Sequence, residues 1–98
     1  MTTETDLQKG LVKATGPFTI YEAAALREAM LAAFESPEGL TLDLSGVTEC
    51  DTAGVQLICA ARISSRKTGK PFQVRAVSEA VTQAMEGVGL DPFDILNP

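Results

Sequence analysis

The amino-acid sequence predicts an α/β domain with a mixed sheet of about four strands and helices packed mainly on one face. Three observations lead there. Stretches with helical spacing of apolar residues alternate with short apolar stretches, in the order strand(s), helix, strand, helix, strand, helix; this order favours parallel strand pairs joined by right-handed crossovers. The run Leu40-Thr41-Leu42-Asp43-Leu44 is short and mostly apolar, as an inner strand requires. The chain has 98 residues, 45% of them hydrophobic, enough to fill one modest core and too few for a second domain. With so few strands, the helices cover one sheet face and leave the other partly open.

The elements follow in order. Residues 1–6, Met1-Thr2-Thr3-Glu4-Thr5-Asp6, read as a polar N-terminal tail, and residues 7–98 as a single domain. From Asp6 to Thr15 two apolar groups, Leu7 and Leu11-Val12, flank Lys9-Gly10; this predicts one or two edge strands or a hairpin, ended by Gly16-Pro17. Thr19 followed by Glu22 is a capping box, in which the Thr hydroxyl and the Glu carboxylate each serve a backbone N–H at the helix start. Ala23, Leu26, Met30, Ala33 and Phe34 then recur at helical spacing, predicting a helix over Tyr21–Glu35 that stops before Ser36-Pro37-Glu38-Gly39. In the strand Leu40–Leu44 the three leucines share one face, and Ser45-Gly46 closes it. Asp51 is placed to cap a helix over Thr52–Thr68, which ends on Gly69 and Pro71. Gly54, Leu57, Ile58, Ala61 and Ser65 lie on one side of that helix, and Gly54, with no side chain, permits a close approach to the sheet. Phe72–Val77 alternates as a strand does. Ser78 is placed to cap a helix over Glu79–Glu86, and Asp91-Pro92 to start a last turn through Phe93, Ile95 and Leu96. Phe18 and Leu96 are assigned to the core.

Composition excludes several classes of function. A net charge of −5 and a pI near 4.5 disfavour nucleic acid, whose phosphates need a basic surface. The basic residues Arg62, Arg66, Lys67 and Lys70 suit a helix C-terminus. No apolar stretch approaches the ~18–20 residues of a membrane span, and the start has no signal-peptide pattern. Cys50 and Cys59 match neither a CxxC motif nor a zinc framework, which predicts reduced thiols in a cytoplasmic protein. The chain contains no histidine, so no imidazole base is available for nucleophilic catalysis. The glycines form no phosphate-cradling loop and the acids no metal-ligand cluster. Asp43 and Asp51 could converge from strand and loop, but a carboxylate pair without a substrate cleft defines no catalytic site. No catalytic residue, metal or cofactor is assigned, and the protein is expected not to be an enzyme.

What remains is Asp51-Thr52 at a helix start. Either Asp51 caps and Thr52 is merely the first helical residue, or the Thr52 hydroxyl is a contact or phosphoacceptor group. Phosphate there would add roughly −1.5 to −2 charges, favoured by the helix N-terminus and opposed by Asp51.

The run Leu42-Asp43-Leu44-Ser45-Gly46-Val47 followed by Cys50-Asp51-Thr52-Ala53-Gly54-Val55-Gln56-Leu57 resembles the STAS domain family, the fold of bacterial anti-sigma factor antagonists. Thr15–Ile20, Val77–Val81 and Gly87–Leu90 resemble further segments of it, so that the likeness spans about residues 7–96. In the antagonist branch the hydroxyl residue after the motif Asp is phosphorylated by the anti-sigma factor, a kinase, and the unphosphorylated antagonist binds that kinase and frees the sigma factor. The resemblance implies Thr52 as phosphoacceptor and Asp51, Thr52, Ala53, Gln56 and Thr19 as partner contacts in a partner-switching signalling module. The sequence departs from that branch in carrying Thr instead of the commoner Ser, and Gly16-Pro17-Phe18-Thr19 in place of Gly-Glu-Leu-Asp. Asp-Thr at this site also resembles two other branches. One is the cytoplasmic STAS subunit of a bacterial phospholipid ABC transporter, whose Thr contacts the ATPase. The other is a small STAS protein accompanying chemotaxis kinases. The implied partner is therefore an anti-sigma serine kinase, a chemotaxis kinase or an ABC ATPase, without membrane insertion; no oligomeric state follows.

Overall fold

The computed structural model describes residues 2–96 of the chain. Eight elements run β1 (Thr2–Asp6), β2 (Leu11–Phe18), α1 (Ile20–Ala33), β3 (Leu40–Cys50), α2 (Thr52–Thr68), β4 (Phe72–Val77), α3 (Glu79–Gly87) and α4 (Pro92–Leu96). The four strands form one sheet in the order β1-β2-β3-β4. β1 runs antiparallel to β2, while β2–β3 and β3–β4 are parallel, giving the mixed α/β sheet that the alternation predicts.

One sheet face is apolar and lies under the helices. Val12 and Ala14 of β2, Leu40, Leu42 and Leu44 of β3 and Phe72 of β4 are buried there with Leu26, Met30, Ile58, Val81 and Met85. The alternate residues Lys13, Thr15, Ser45, Gln73 and Arg75 are exposed or half-buried on the other face. Period-two alternation in the strands thus matches the helical stripes, and burial of apolar surface supplies the main stabilisation. Asp43 is the exception on the polar face. It is buried, but Ser45 donates to its Oδ1 from both N–H and Oγ, at 3.0 and 2.7 Å, and Arg75 Nη2 lies 2.8 Å from its Oδ2. These bonds hold the Asp43 carboxyl down at about 2, the Ser45 hydroxyl contributing most and Arg75 next.

The helix signals hold closely. The α1 capping box is formed, with Thr19 Oγ1 accepting from Tyr21 N–H and Glu22 accepting from Thr19 N–H. α2 has the predicted bounds and ends on Gly69 in the left-handed conformation, whose N–H donates to Ser65 O. Lys70 Nζ, rather than serving α2, donates to the Phe34 carbonyl at the C-cap of α1, at 2.6 Å.

Four expectations are corrected. Residues 2–6 are not a tail but β1, which pairs with Leu11–Thr15; threonines suit an edge strand that needs no apolar face, and Asp6 Oδ1 accepts from Gln8 and Lys9 N–H to turn the hairpin. β2 does not stop at Gly16-Pro17. The ladder to β3 shifts register there, and beyond Thr15 β2 pairs only with β3 among the described residues, so the N–H that Pro17 lacks is not missed on the β1 side. β3 does not stop at Ser45-Gly46 but runs to Cys50. Gly46 marks a close approach, since a Cβ on it would lie 3.1 Å from Thr15 Oγ1. Ser78 occupies the N-cap position of α3, but its hydroxyl is buried with no hydrogen bond among the described residues, while its N–H donates to Leu44 O at 3.2 Å. Phe18 is fully buried as expected; the side chain of Leu96 lies outside the described residues.

Candidate functional site

β2 and β3 are parallel neighbours that end together, Phe18 standing opposite Cys50 in the ladder. The helices that follow them therefore start side by side, at the end of the sheet where loops leave parallel strands. Asp51 caps α2 as its position predicts, Oδ1 accepting from Gly54 N–H at 3.1 Å. Its other oxygen, Oδ2, accepts from Ile20 N–H at 3.0 Å, the first residue of α1. Gly54 makes the close packing possible. A Cβ there would lie 2.8 Å from Phe18 O and 2.9 Å from Cys50 Sγ.

Because Asp51 does the capping, Thr52 is left with nothing to hold. It is exposed, and among the described residues its hydroxyl makes no hydrogen bond. Gln56, one turn on and also exposed, shares its side of α2, with the half-buried Ala53 beside them. Thr19 is half-buried and engaged with Glu22 and Tyr21, so its hydroxyl is committed to the α1 cap. That hydroxyl also lowers the Glu22 carboxyl below the usual range. The structure thus brings all five expected contact residues to one end of the molecule, with Thr52 and Gln56 outermost. Among the described residues Asp43 and Asp51 share no partner: one carboxylate is held by Ser45 and Arg75, the other by two helix starts.

Cys50, under this junction, is half-buried with its thiol 3.6 Å from Asp51 O. Burial, then the Asp51 charge, pushes that thiol up to about 11, which keeps it protonated at neutral pH. Cys59 packs at the margin of the core, and the two cysteines form no disulfide with each other.

Two residues beside the motif escape a reading from sequence. Ile20 is 66% and Tyr21 91% exposed, adjacent to each other at the start of α1. From Ile20 a shallow groove of about 400 Å³ runs between α1 and α2, walled by Ala24 and Arg27 on one side and Ala53, Gln56 and Ala60 on the other. The available signal was that both residues follow the Thr19 cap but fall off the Ala23-Leu26-Met30 stripe.

A four-stranded mixed sheet with helices on its apolar face is consistent with the STAS fold, that of a regulatory or binding module. The family model described as Mlab, STAS domain matches residues 1–97, and the chain belongs to the STAS domain family. No curated protein matches the chain. STAS domains are generally non-catalytic and mediate protein–protein interactions. Among the described residues no helix is long and apolar enough to cross a membrane.

Proposed function

We propose that this STAS domain is a non-enzymatic signalling module that docks a protein partner on the face formed by the starts of α1 and α2, with Thr52 as its phosphorylation switch. The observation that carries this reading is the exposed Thr52 side chain, whose hydroxyl makes no hydrogen bond among the described residues while Asp51 caps the helix, on a face with the exposed residues Ile20 and Tyr21. Apolar side chains in such a patch favour burial by a partner, and the hydroxyl supplies a group that the partner recognises or modifies. A phosphate on Thr52 adds roughly −1.5 to −2 charges at the centre of this face, beside Asp51, and a partner fitted to the neutral hydroxyl is released. The partner is an anti-sigma serine kinase, as the motif implies, or a chemotaxis kinase acting in the same way.

The test is incubation of the protein with its candidate kinase and ATP, followed by mapping of the modified residue and binding measurements on Thr52→Glu. Phosphate on Thr52 and loss of binding in Thr52→Glu support the switch. Absence of phosphate together with full binding by Thr52→Glu refutes it.

A second reading is favoured by the Mlab description of the matching family model: the same face docks an ABC ATPase constitutively. It predicts a stable complex with that ATPase on purification from the native host, and recovery of the chain alone counts against it.

A further inference from the structure

Asp51 is bonded to the β2–α1 connection twice. Its N–H donates to Phe18 O at 3.3 Å and its Oδ2 accepts from Ile20 N–H at 3.0 Å, while Oδ1 is occupied by Gly54 N–H at 3.1 Å. We propose that Asp51 is a positioning residue: its two carboxylate oxygens hold the start of α1 against the start of α2 and so set the mouth of the groove between Ile20 and Ala53.

The accounting of N–H groups at the start of α1 supports this role. The first N–H groups of a helix have no intrahelical partner. In α1 the Thr19 hydroxyl takes Tyr21 N–H, the Thr19 carbonyl takes those of Glu22 and Ala23, and the Glu22 carboxylate turns back to Thr19 N–H. The capping box is therefore complete on residues of α1 alone. Only Ile20 N–H is left over, and it is satisfied from 31 positions away in the chain. A cap for α2 needs one oxygen; the second oxygen has no task except to join the helices. The absence of a Cβ on Gly54 gives that joint its short span, because Phe18 O and Cys50 Sγ stand where the Cβ would crowd them. The groove downstream, with Ala24 on one wall and Gln56 on the other, inherits its width from this junction. The inference goes beyond the docking reading and stands whether or not Thr52 is ever modified.

Asparagine separates the two duties. Asn is as good an N-cap as Asp but offers one carbonyl oxygen in place of two. The experiment uses the full chain, ¹⁵N-labelled, and follows amide hydrogen exchange and chemical shifts by NMR in wild type, Asp51→Asn and Asp51→Ala. In Asp51→Asn, Ile20 N–H is expected to exchange about tenfold faster relative to the core amide of Leu42, as for loss of one charge-assisted bond. Gly54 keeps its protection, and the thermal midpoint falls by roughly 5–10 °C, the equivalent of that tenfold change. The Ala24 signals on the far wall of the groove move. In Asp51→Ala both Ile20 and Gly54 lose protection. Unchanged Ile20 exchange in Asp51→Asn, loss at Gly54 with Ile20 retained, or unmoved Ala24 signals each overturn the proposal. If Asp51→Ala does not fold, Asp51→Asn decides alone. None of these readouts involves a partner, so failure here is distinct from failure to find docking or phosphate at Thr52.

Discussion

Replacing Gly54 by Ala tests whether the start of α2 is seated against the end of β2 as described. Gly in a helix is intrinsically unfavourable, and Gly→Ala at a compatible position stabilises by about 0.4–1 kcal/mol. Here a Cβ would stand 2.8 Å from Phe18 O, 2.9 Å from Cys50 Sγ and 3.2 Å from Phe18 Cγ. Two of those atoms belong to a fully buried residue in a strand, which has little room to yield. Overpacking of this kind costs typically about 1–3 kcal/mol, so the clash outweighs the propensity gain and the net loss is about 1–2 kcal/mol. For a domain of this size that lowers the thermal midpoint by roughly 5–15 °C. Gly87, at the end of α3, is the internal control, because a Cβ there meets nothing within 4 Å. Gly87→Ala is therefore expected to be stabilising by about 0.4–1 kcal/mol. Thermal and urea unfolding followed by circular dichroism measures both. A Gly54→Ala protein as stable as wild type, alongside a stabilised Gly87→Ala, refutes the argument that the helix start is pressed against Phe18 and Cys50.

Thr52→Glu is expected to change stability by no more than about 0.5 kcal/mol, since the helix N-terminus favours the charge and Asp51 opposes it; urea unfolding checks this, and a larger loss would show that Thr52 holds the fold and is not simply presented. Asp43 contributes stability that is fully present above the unfolded carboxyl value of 3.8 and is lost as pH falls through that value towards the folded value of about 2. Ser45→Ala and Arg75→Gln each raise the Asp43 carboxyl towards its ordinary range, read by ¹³C NMR titration, and neither alone restores it, because the other bond remains. Cys50, with its thiol at about 11, is expected to react with iodoacetamide at pH 8 with a thiolate fraction about a hundredfold below that of an ordinary cysteine; mass-spectrometric mapping of alkylation over time gives the rate.

The elements legible in the sequence are those whose signals are local. The bounds of α2 follow from the Asp51 cap and the Gly69 stop, and the start of α1 from the spacing of Thr19 and Glu22. What escaped is non-local. Thr2–Asp6 has no apolar face and becomes a strand only because Leu11–Thr15 lies beside it. Ser45-Gly46 has the composition of a stop, and continues as strand because Gly46 fits against Thr15. The same division runs through the site. Thr52 is legible because a cap and the residue after it are defined by spacing. Ile20 and Tyr21 are not, because residues off the apolar stripe of a helix read as solvent-facing, and nothing near them in the chain says that a second helix begins alongside. That adjacency comes from the register that sets Phe18 opposite Cys50, and register comes from the parallel pairing of β2 with β3. Parallel neighbours end on the same edge, so the loops that leave them converge. Alternation of strand and helix had already implied parallel pairs. Hence the placement of the candidate site at the junction of two helix starts follows from topology, while its geometry follows from one carboxylate that bonds to both starts beside the exposed Thr52.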